Sequence, residues 1–231
     1  MSTAKPTGAA ASCSANIPDP PTKLHVSTLI RPKGSVLHRI HEDLYAPAAF
    51  NLGIKGNARF SPIKDRSVSP EVPIPTLYGG STFDCAAMET VFHDVPFVPG
   101  LKTIDKRKLR GQFHSRLVLT MDLVLADLSA TALRKLGVPR NQLIDTEKDC
   151  YPQTRKWAEA IHAQARNVQG LCWVSRQDDR ARAVVLFGDR VPSGALATAG
   201  SSRSLLGDPS AYGELLDLAL LIGVSIVGPM P

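Results

Sequence analysis

The stretch from Asn57 to Val95 constrains the chain most. Prolines and a glycine pair divide it into pieces too short for a regular strand–helix–strand repeat. Proline lacks a backbone N–H and fixes φ, so Pro62 ends any strand over Ala58–Ser61, and the three prolines of Ser67–Pro75 mark a surface loop. Thr76–Tyr78 then reads as a strand and Gly79-Gly80 as a turn. Ser81 fits an N-cap with Asp84 at the third helical position, opening a helix that runs to about Asp94, where Pro96 and Pro99 forbid continuation. Three chemically useful side chains fall on these pieces: Arg59 on the first strand, Tyr78 at the end of the second, and Glu89 inside the helix.

Elsewhere the periodicity is clearer. Ser35–His41 (SVLHRIH) alternates apolar and polar residues and reads as the first strand, carrying Arg39. Gln112–Leu125 supplies one or two strands. Ser129–Leu136 is a short helix capped by Ser129 and closed by Gly137. Thr154–Arg166 is an amphipathic helix with Trp157, Ile161 and Ala165 on one stripe. GLCWVS (Gly170–Ser175) and AVVLFG (Ala183–Gly188) are strands, Tyr212–Ile222 is a helix ended by Gly223, and Val224–Val227 is a last strand. Strands and helices mix without βαβ alternation, which favours an α+β class.

A length of 231 residues fits one domain with a tail. Residues 1–30 are rich in Ala, Ser, Thr and Pro without periodicity and read as a disordered leader, leaving 31–231 as the domain. Four cysteines lie far apart, with no C-x-x-C and no Cys/His pair at ligand spacing, so no metal site is expected. No N-terminal apolar run suggests a signal peptide. The longest apolar segment, Leu215–Val227, has 13 residues and contains Asp217, too short to span about 30 Å of hydrocarbon. The expectation is a soluble, cytoplasmic protein with reduced thiols and no membrane partner. A net charge of +6 favours anionic partners such as nucleotides, nucleic acid or an acidic protein, without choosing among them.

Each candidate residue has two readings. Arg39 and Arg59 are either solvent-facing strand arginines or planar donor forks for a phosphate or pyrophosphate. Tyr78, just before two glycines, is either a rim tyrosine or a ring that a ligand approaches closely. Ser81 is either a plain cap or part of a helix start that favours phosphate. Glu89, with Cys85, Ala86, Phe92 and His93 around it on a helix, is either a partly buried ion-pair member or a cleft-facing catalytic carboxylate. Ser175 ends a strand. Lys102–Arg116 carries six Lys/Arg against one Asp, either a solvated face or a docking patch. No phosphate-loop, dinucleotide or nucleophile-elbow motif occurs.

Taken together these residues resemble the RES-domain family, best known as toxins of Xre–RES toxin–antitoxin pairs. The family's first-strand arginine matches Arg39 in LHRIH. Its "GGRFNP"-like strand matches GNARFSP, with Arg59. Its "LYLA-S-x-x-x-A-x-x-E" block matches LYGGSTFDCAAMETV, with Tyr78 and Glu89, and its late "G-x-x-Y-x-S" strand matches GLCWVS, with Ser175. The likeness covers roughly Ser35 to Pro229. Asn57-Ala58 stands in place of a glycine pair, Ser61 in place of an asparagine, and Gly79-Gly80 where the family has Leu-Ala or similar.

The resemblance implies a single domain like the ADP-ribosyltransferase toxins, with central mixed and antiparallel strands flanked by helices. It also implies an enzyme that consumes NAD as substrate, without a bound cofactor, breaking the nicotinamide–ribose bond by phosphorolysis, with inorganic phosphate as co-substrate, or by hydrolysis. Nicotinamide leaves a cationic ring as a neutral molecule, so no general acid is required, and the transition state resembles an oxocarbenium ion. Glu89 would stabilise that charge, Arg39 and Arg59 would clamp pyrophosphate or attacking phosphate, Tyr78 would stack on nicotinamide, and Ser175 and Ser81 would bind substrate. The partner implied is an Xre-type antitoxin, through which alone nucleic acid would be contacted. Two other readings stay open: a protein ADP-ribosyltransferase that uses NAD, and a non-catalytic module whose basic face docks an anionic partner.

Overall fold

One sheet of nine strands organises the chain, and a seam within it opens the cavity described below. The computed structural model describes Cys13 and residues 16–228. In chain order the strands are β1 (Thr28–Arg31), β2 (Val36–Glu42), β3 (Ile63–Asp65), β4 (Val72–Ile74), β5 (Thr76–Gly80), β6 (Lys102–Asp105), β7 (Gln112–Leu119), β8 (Leu123–Asp127), β9 (Gly170–Val174), β10 (Arg182–Phe187), β11 (Leu196–Thr198), β12 (Arg203–Ser204) and β13 (Val224–Val227). The helices are α1 (Phe83–Met88), α2 (Ala130–Leu136), α3 (Arg140–Leu143), α4 (Tyr151–Gln164) and α5 (Pro209–Leu221). The main sheet runs β1-β8-β9-β10-β5-β2-β7-β11, with β12 also on β7. Its pairs are antiparallel except β8–β9. β3 and β4 form a separate antiparallel pair, and β6 and β13 a parallel one. This is the α+β class expected, a single domain with helices flanking a central sheet.

Both faces of the sheet are covered, as the unbroken apolar run of β10 requires of a central strand. Side chains alternate along it. Ala183, Val185 and Phe187 join Phe60, Trp157 and Trp173 in one cluster, while Val184 and Leu186 join Leu37, Leu77 and Leu117 in another. A third cluster gathers Phe83 and Phe92 against Leu215 and Leu218 of α5. β5 pairs with β10 through five residues and β2 with β7 through seven, but β2 and β5 meet only at His38 and Gly80. The sheet therefore divides at that point.

Several sequence expectations shift. The leader is only partly outside the described residues: residues 1–12, 14 and 15 are, but residues 16–31 run over the fold. Ile17, Leu24 and Val26 pack on the core, Pro18 O accepts the Trp157 indole N–H at 2.9 Å, and β1 pairs with β8. The apolar residues there are spaced by prolines rather than by a helical or strand period, so composition alone reads them as disordered. Cys13 and Cys150 form a disulfide, whereas Cys85 and Cys172 are buried free thiols, so the expectation of four reduced cysteines is corrected. No helix among the described residues is long and apolar enough to cross a membrane.

Arg59 does not lie on a strand. Ala58 and Ser61 bridge each other, with Arg59 and Phe60 at the turn between them. Gly79-Gly80 is not a turn but the end of β5. A side chain on Gly80 would place Cβ 2.8 Å from Ala86 N and 2.9 Å from Cys85 Cβ, so glycine here lets α1 sit directly on the strand. Gly80→Ala is expected to lower stability by about 1–3 kcal/mol through that clash. A urea midpoint equal to the wild type would show that the contact yields freely.

Candidate active site

The helix that carries the acid starts one residue later, and stops about six residues earlier, than its sequence suggests. Ser81 extends the β5–β10 ladder, donating its N–H to Arg182 O at 2.8 Å and accepting Arg182 N–H on Oγ at 2.9 Å. The cap is therefore Thr82, whose Oγ1 accepts from Cys85 N at 3.0 Å. At the other end the Thr90 hydroxyl donates to Ala86 O, and β-branched Thr90 and Val91 disfavour a further turn. Glu89 is the C-cap of α1, not a mid-helix residue. Its N–H still donates to Cys85 O at 3.0 Å, and its side chain borders the divergence of β2 and β5.

A cavity of about 360 Å³ fills this divergence, and Arg39, Arg59, Tyr78 and Glu89 all border it. Glu89 is held from behind. Ser175 Oγ donates to Glu89 Oε1 at 2.6 Å and accepts the N–H groups of Gln177 and Asp178, each at 3.0 Å. Ser175 is fully buried and all its bonding capacity is spent, so it orients the acid and does not face the cavity. Ser81, committed to Arg182, does not border it either. Of the six residues singled out in the sequence, four converge on the cavity and two stand behind it.

The two arginines are built alike. Arg59 is 6% exposed; its Nη1 donates to Thr146 Oγ1 at 2.6 Å and to Thr146 O at 3.2 Å, and its guanidinium lies 4.9 Å from the centre of the Tyr151 ring. A longer bond of 3.4 Å runs from Nη2 to the Tyr151 hydroxyl. Arg39 Nη1 donates to Pro47 O and Ala49 O, both at 2.7 Å. In each case Nη1 is pinned by uncharged oxygens, and Nε–H and part of Nη2 remain without a partner among the described residues. Burial lowers the pKa of Arg39 to about 10, and that of Arg59 also falls for the same reason, opposed by Tyr151 and Glu89. A buried cation without a bonded carboxylate is costly, and an anionic ligand would offset that cost.

Tyr78 accepts Phe60 N–H on its hydroxyl at 3.0 Å and packs edge-on to Trp173, with ring centroids 6.3 Å apart. Burial raises its pKa, so it remains a neutral phenol. The Phe60 bond ties the β5 tyrosine to the turn that presents Arg59. These two groups are therefore set relative to each other by one hydrogen bond.

Sequence reasoning missed the far wall. Thr146 and Tyr151 hold Arg59, the Tyr151 hydroxyl bonds His93 Nε2 at 3.1 Å, and Lys148 pairs with Asp94 at the rim. Pro152, which sits in the first turn of α4, was the available signal that this helix begins near Tyr151 rather than Thr154.

The family model of the RES domain matches residues 36–207. The chain belongs to the RES-domain family. The matched span holds both arginines, Tyr78, Glu89 and Ser175, so the RES domain contributes every side chain of the cavity described above. No curated protein sequence matches the chain. Among solved structures the RES chain is similar to one described as the M. tuberculosis MbcT-MbcA toxin-antitoxin complex, with a TM-score of 0.55 and 14% identity over 80% of this chain and 90% of that one. At that identity the likeness concerns the fold.

Proposed function

We propose that this RES-domain protein breaks the bond between nicotinamide and ribose in NAD and acts as the toxin of a toxin–antitoxin pair. The observation that carries the reading is the convergence of one oriented carboxylate, Glu89, with a buried and a part-buried arginine, both lacking bonded carboxylate partners, and an aromatic ring in one cavity. The membership of the family and the toxin–antitoxin assembly of the structural neighbour support it.

In this reading the C1′–N bond of NAD breaks with both electrons going to nicotinamide, which leaves neutral and needs no proton. The positive charge that develops on the ribose faces Glu89, whose carboxylate is fixed by Ser175 before substrate arrives. Arg39 and Arg59 offer their free N–H groups to the diphosphate, and Arg59 can instead receive an attacking phosphate. Tyr78 and Trp173 form the apolar wall for the leaving ring. Phosphate, already anionic, attacks without a general base. Water must lose a proton as it attacks, and Glu89 is then the carboxylate at the cavity able to take it; phosphate needs no such transfer, which favours phosphorolysis. Incubation of the protein with NAD, with and without inorganic phosphate, followed by product identification, tests the reading. Nicotinamide with ADP-ribose 1″-phosphate, formed faster when phosphate is present, is the expected result. Transfer of ADP-ribose to protein, or no turnover at all, would overturn it. Co-expression with a small Xre-type partner should suppress both the turnover and any toxicity.

Ser175 acts through Glu89 and is a positioning residue. Ser175→Ala removes one hydrogen bond to a charged acceptor, worth about 1.5 kcal/mol, and should lower kcat about tenfold while KM stays unchanged. A raised KM with normal kcat would instead make Ser175 a substrate contact, as first expected from the sequence.

A further inference from the structure

A second cavity, of about 510 Å³, lies on the helix α5 side of β2, β7 and β12, and His38 borders both it and the first. His38 and Arg116 are opposite each other on β2 and β7, and Arg203 is opposite His114 on β12 and β7. The antiparallel register therefore puts all four side chains on one sheet face.

Their hydrogen bonds set the protons. Glu214 Oε1 accepts from Arg203 Nη1 at 2.6 Å, and Arg203 Nη2 lies 2.9 Å from His114 Nδ1. A guanidinium only donates, so His114 Nδ1 is an acceptor and its proton sits on Nε2. His114 Nε2 lies 3.0 Å from His38 Nδ1, which must then accept, leaving the proton of His38 on Nε2. Burial and the neighbouring cations push His114 down to about 4, in keeping with a neutral ring. The chain from Glu214 thus ends in a neutral His38 whose Nε2–H has no partner among the described residues.

Both carboxylates at this cavity lie beside the Arg203 cation, which leaves Arg116 as its uncompensated charge. Glu214 holds Arg203, and Asp208 caps α5 through Ala211 N at 2.9 Å. Arg116 forms no ion pair or hydrogen bond through its side chain among the described residues, and the Ser201 hydroxyl likewise has no partner. We propose that this cavity is a second anion site, which binds the phosphate group of a phosphorylated small molecule through Arg116, Ser201 and the His38 Nε2–H. It shares only His38 with the NAD cavity and does not depend on the reading given to that cavity.

The test is a titration followed by two-dimensional NMR, with inorganic phosphate and with AMP as separate probes. The Gly200 amide reports the second cavity and the Trp173 indole N–H the first. Saturable shifts of the Gly200 amide and the His38 Nε2–H are expected, weakened about tenfold or more in Arg116→Gln, which removes a charge-assisted donor, while the Trp173 response is unaltered. Tighter binding of AMP than of phosphate identifies a phosphate ester as the ligand; equal binding identifies the free ion. Ser201→Ala serves as a second, milder variant. A Gly200 amide unmoved by both probes, a shift equally strong in Arg116→Gln, or a His38 proton on Nδ1 would each overturn the proposal.

Discussion

Glu89→Gln should reduce nicotinamide release from NAD by about 10²–10³-fold, the loss seen when one preorganised transition-state stabiliser is removed. The substitution is close to isosteric and keeps an oxygen able to accept the Ser175 hydroxyl, which now lies 2.6 Å from the carboxylate. The change therefore removes charge and little else. Ground-state binding of NAD is carried by other groups, so KM should move little while kcat falls, the signature of an interaction made in the transition state. Quantifying released nicotinamide by chromatography, at saturating NAD and phosphate, reads this directly. Turnover at the wild-type rate would take Glu89 out of the mechanism.

Arg59→Ala should act differently, raising KM and lowering kcat together. Each charge-assisted hydrogen bond to phosphate contributes about 1.5–3 kcal/mol, so loss of the fork should weaken NAD binding by about 10–100-fold. The guanidinium is buried without a bonded carboxylate, and removing it should not unfold the protein, since a buried charge contributes little net stability. Arg59→Lys separates charge from shape: it keeps the cation but loses the planar fork fixed by Thr146, and should recover only part of the binding. A normal KM in Arg59→Ala, measured on folded protein, would place the diphosphate elsewhere.

The two arginines also show what the sequence made legible. Period-two alternation in SVLHRIH located β2 and hence Arg39, and the apolar run Ala183–Gly188 located β10 as a strand. Residue types in order, Arg59–Tyr78–Glu89, were enough to select the cavity. What the sequence did not reveal was local hydrogen bonding. Arg59 sits in a turn held by Tyr78, and Glu89 ends its helix because Thr90 competes for Ala86 O. Gly79-Gly80, a turn signal by composition, is instead strand backbone, with Gly80 packed beneath α1. Ser175, expected from the sequence to bind substrate, has its hydroxyl occupied by Glu89 and two backbone N–H groups. A serine at a strand end gives no hint that two following N–H groups and a carboxylate will occupy its hydroxyl. The far wall, Thr146 and Tyr151, was invisible because its contact with Arg59 joins residues some ninety positions apart and carries no periodicity.

The most direct measurement is a crystal structure of Glu89→Gln with NAD bound, where slow turnover allows the intact dinucleotide to be trapped. The account predicts the ribose C1′ against the side chain at position 89, the diphosphate on the free N–H groups of Arg39 and Arg59, and the nicotinamide ring against Tyr78. A dinucleotide bound with its ribose turned away from position 89, or lying wholly outside the seam between β2 and β5, would contradict it.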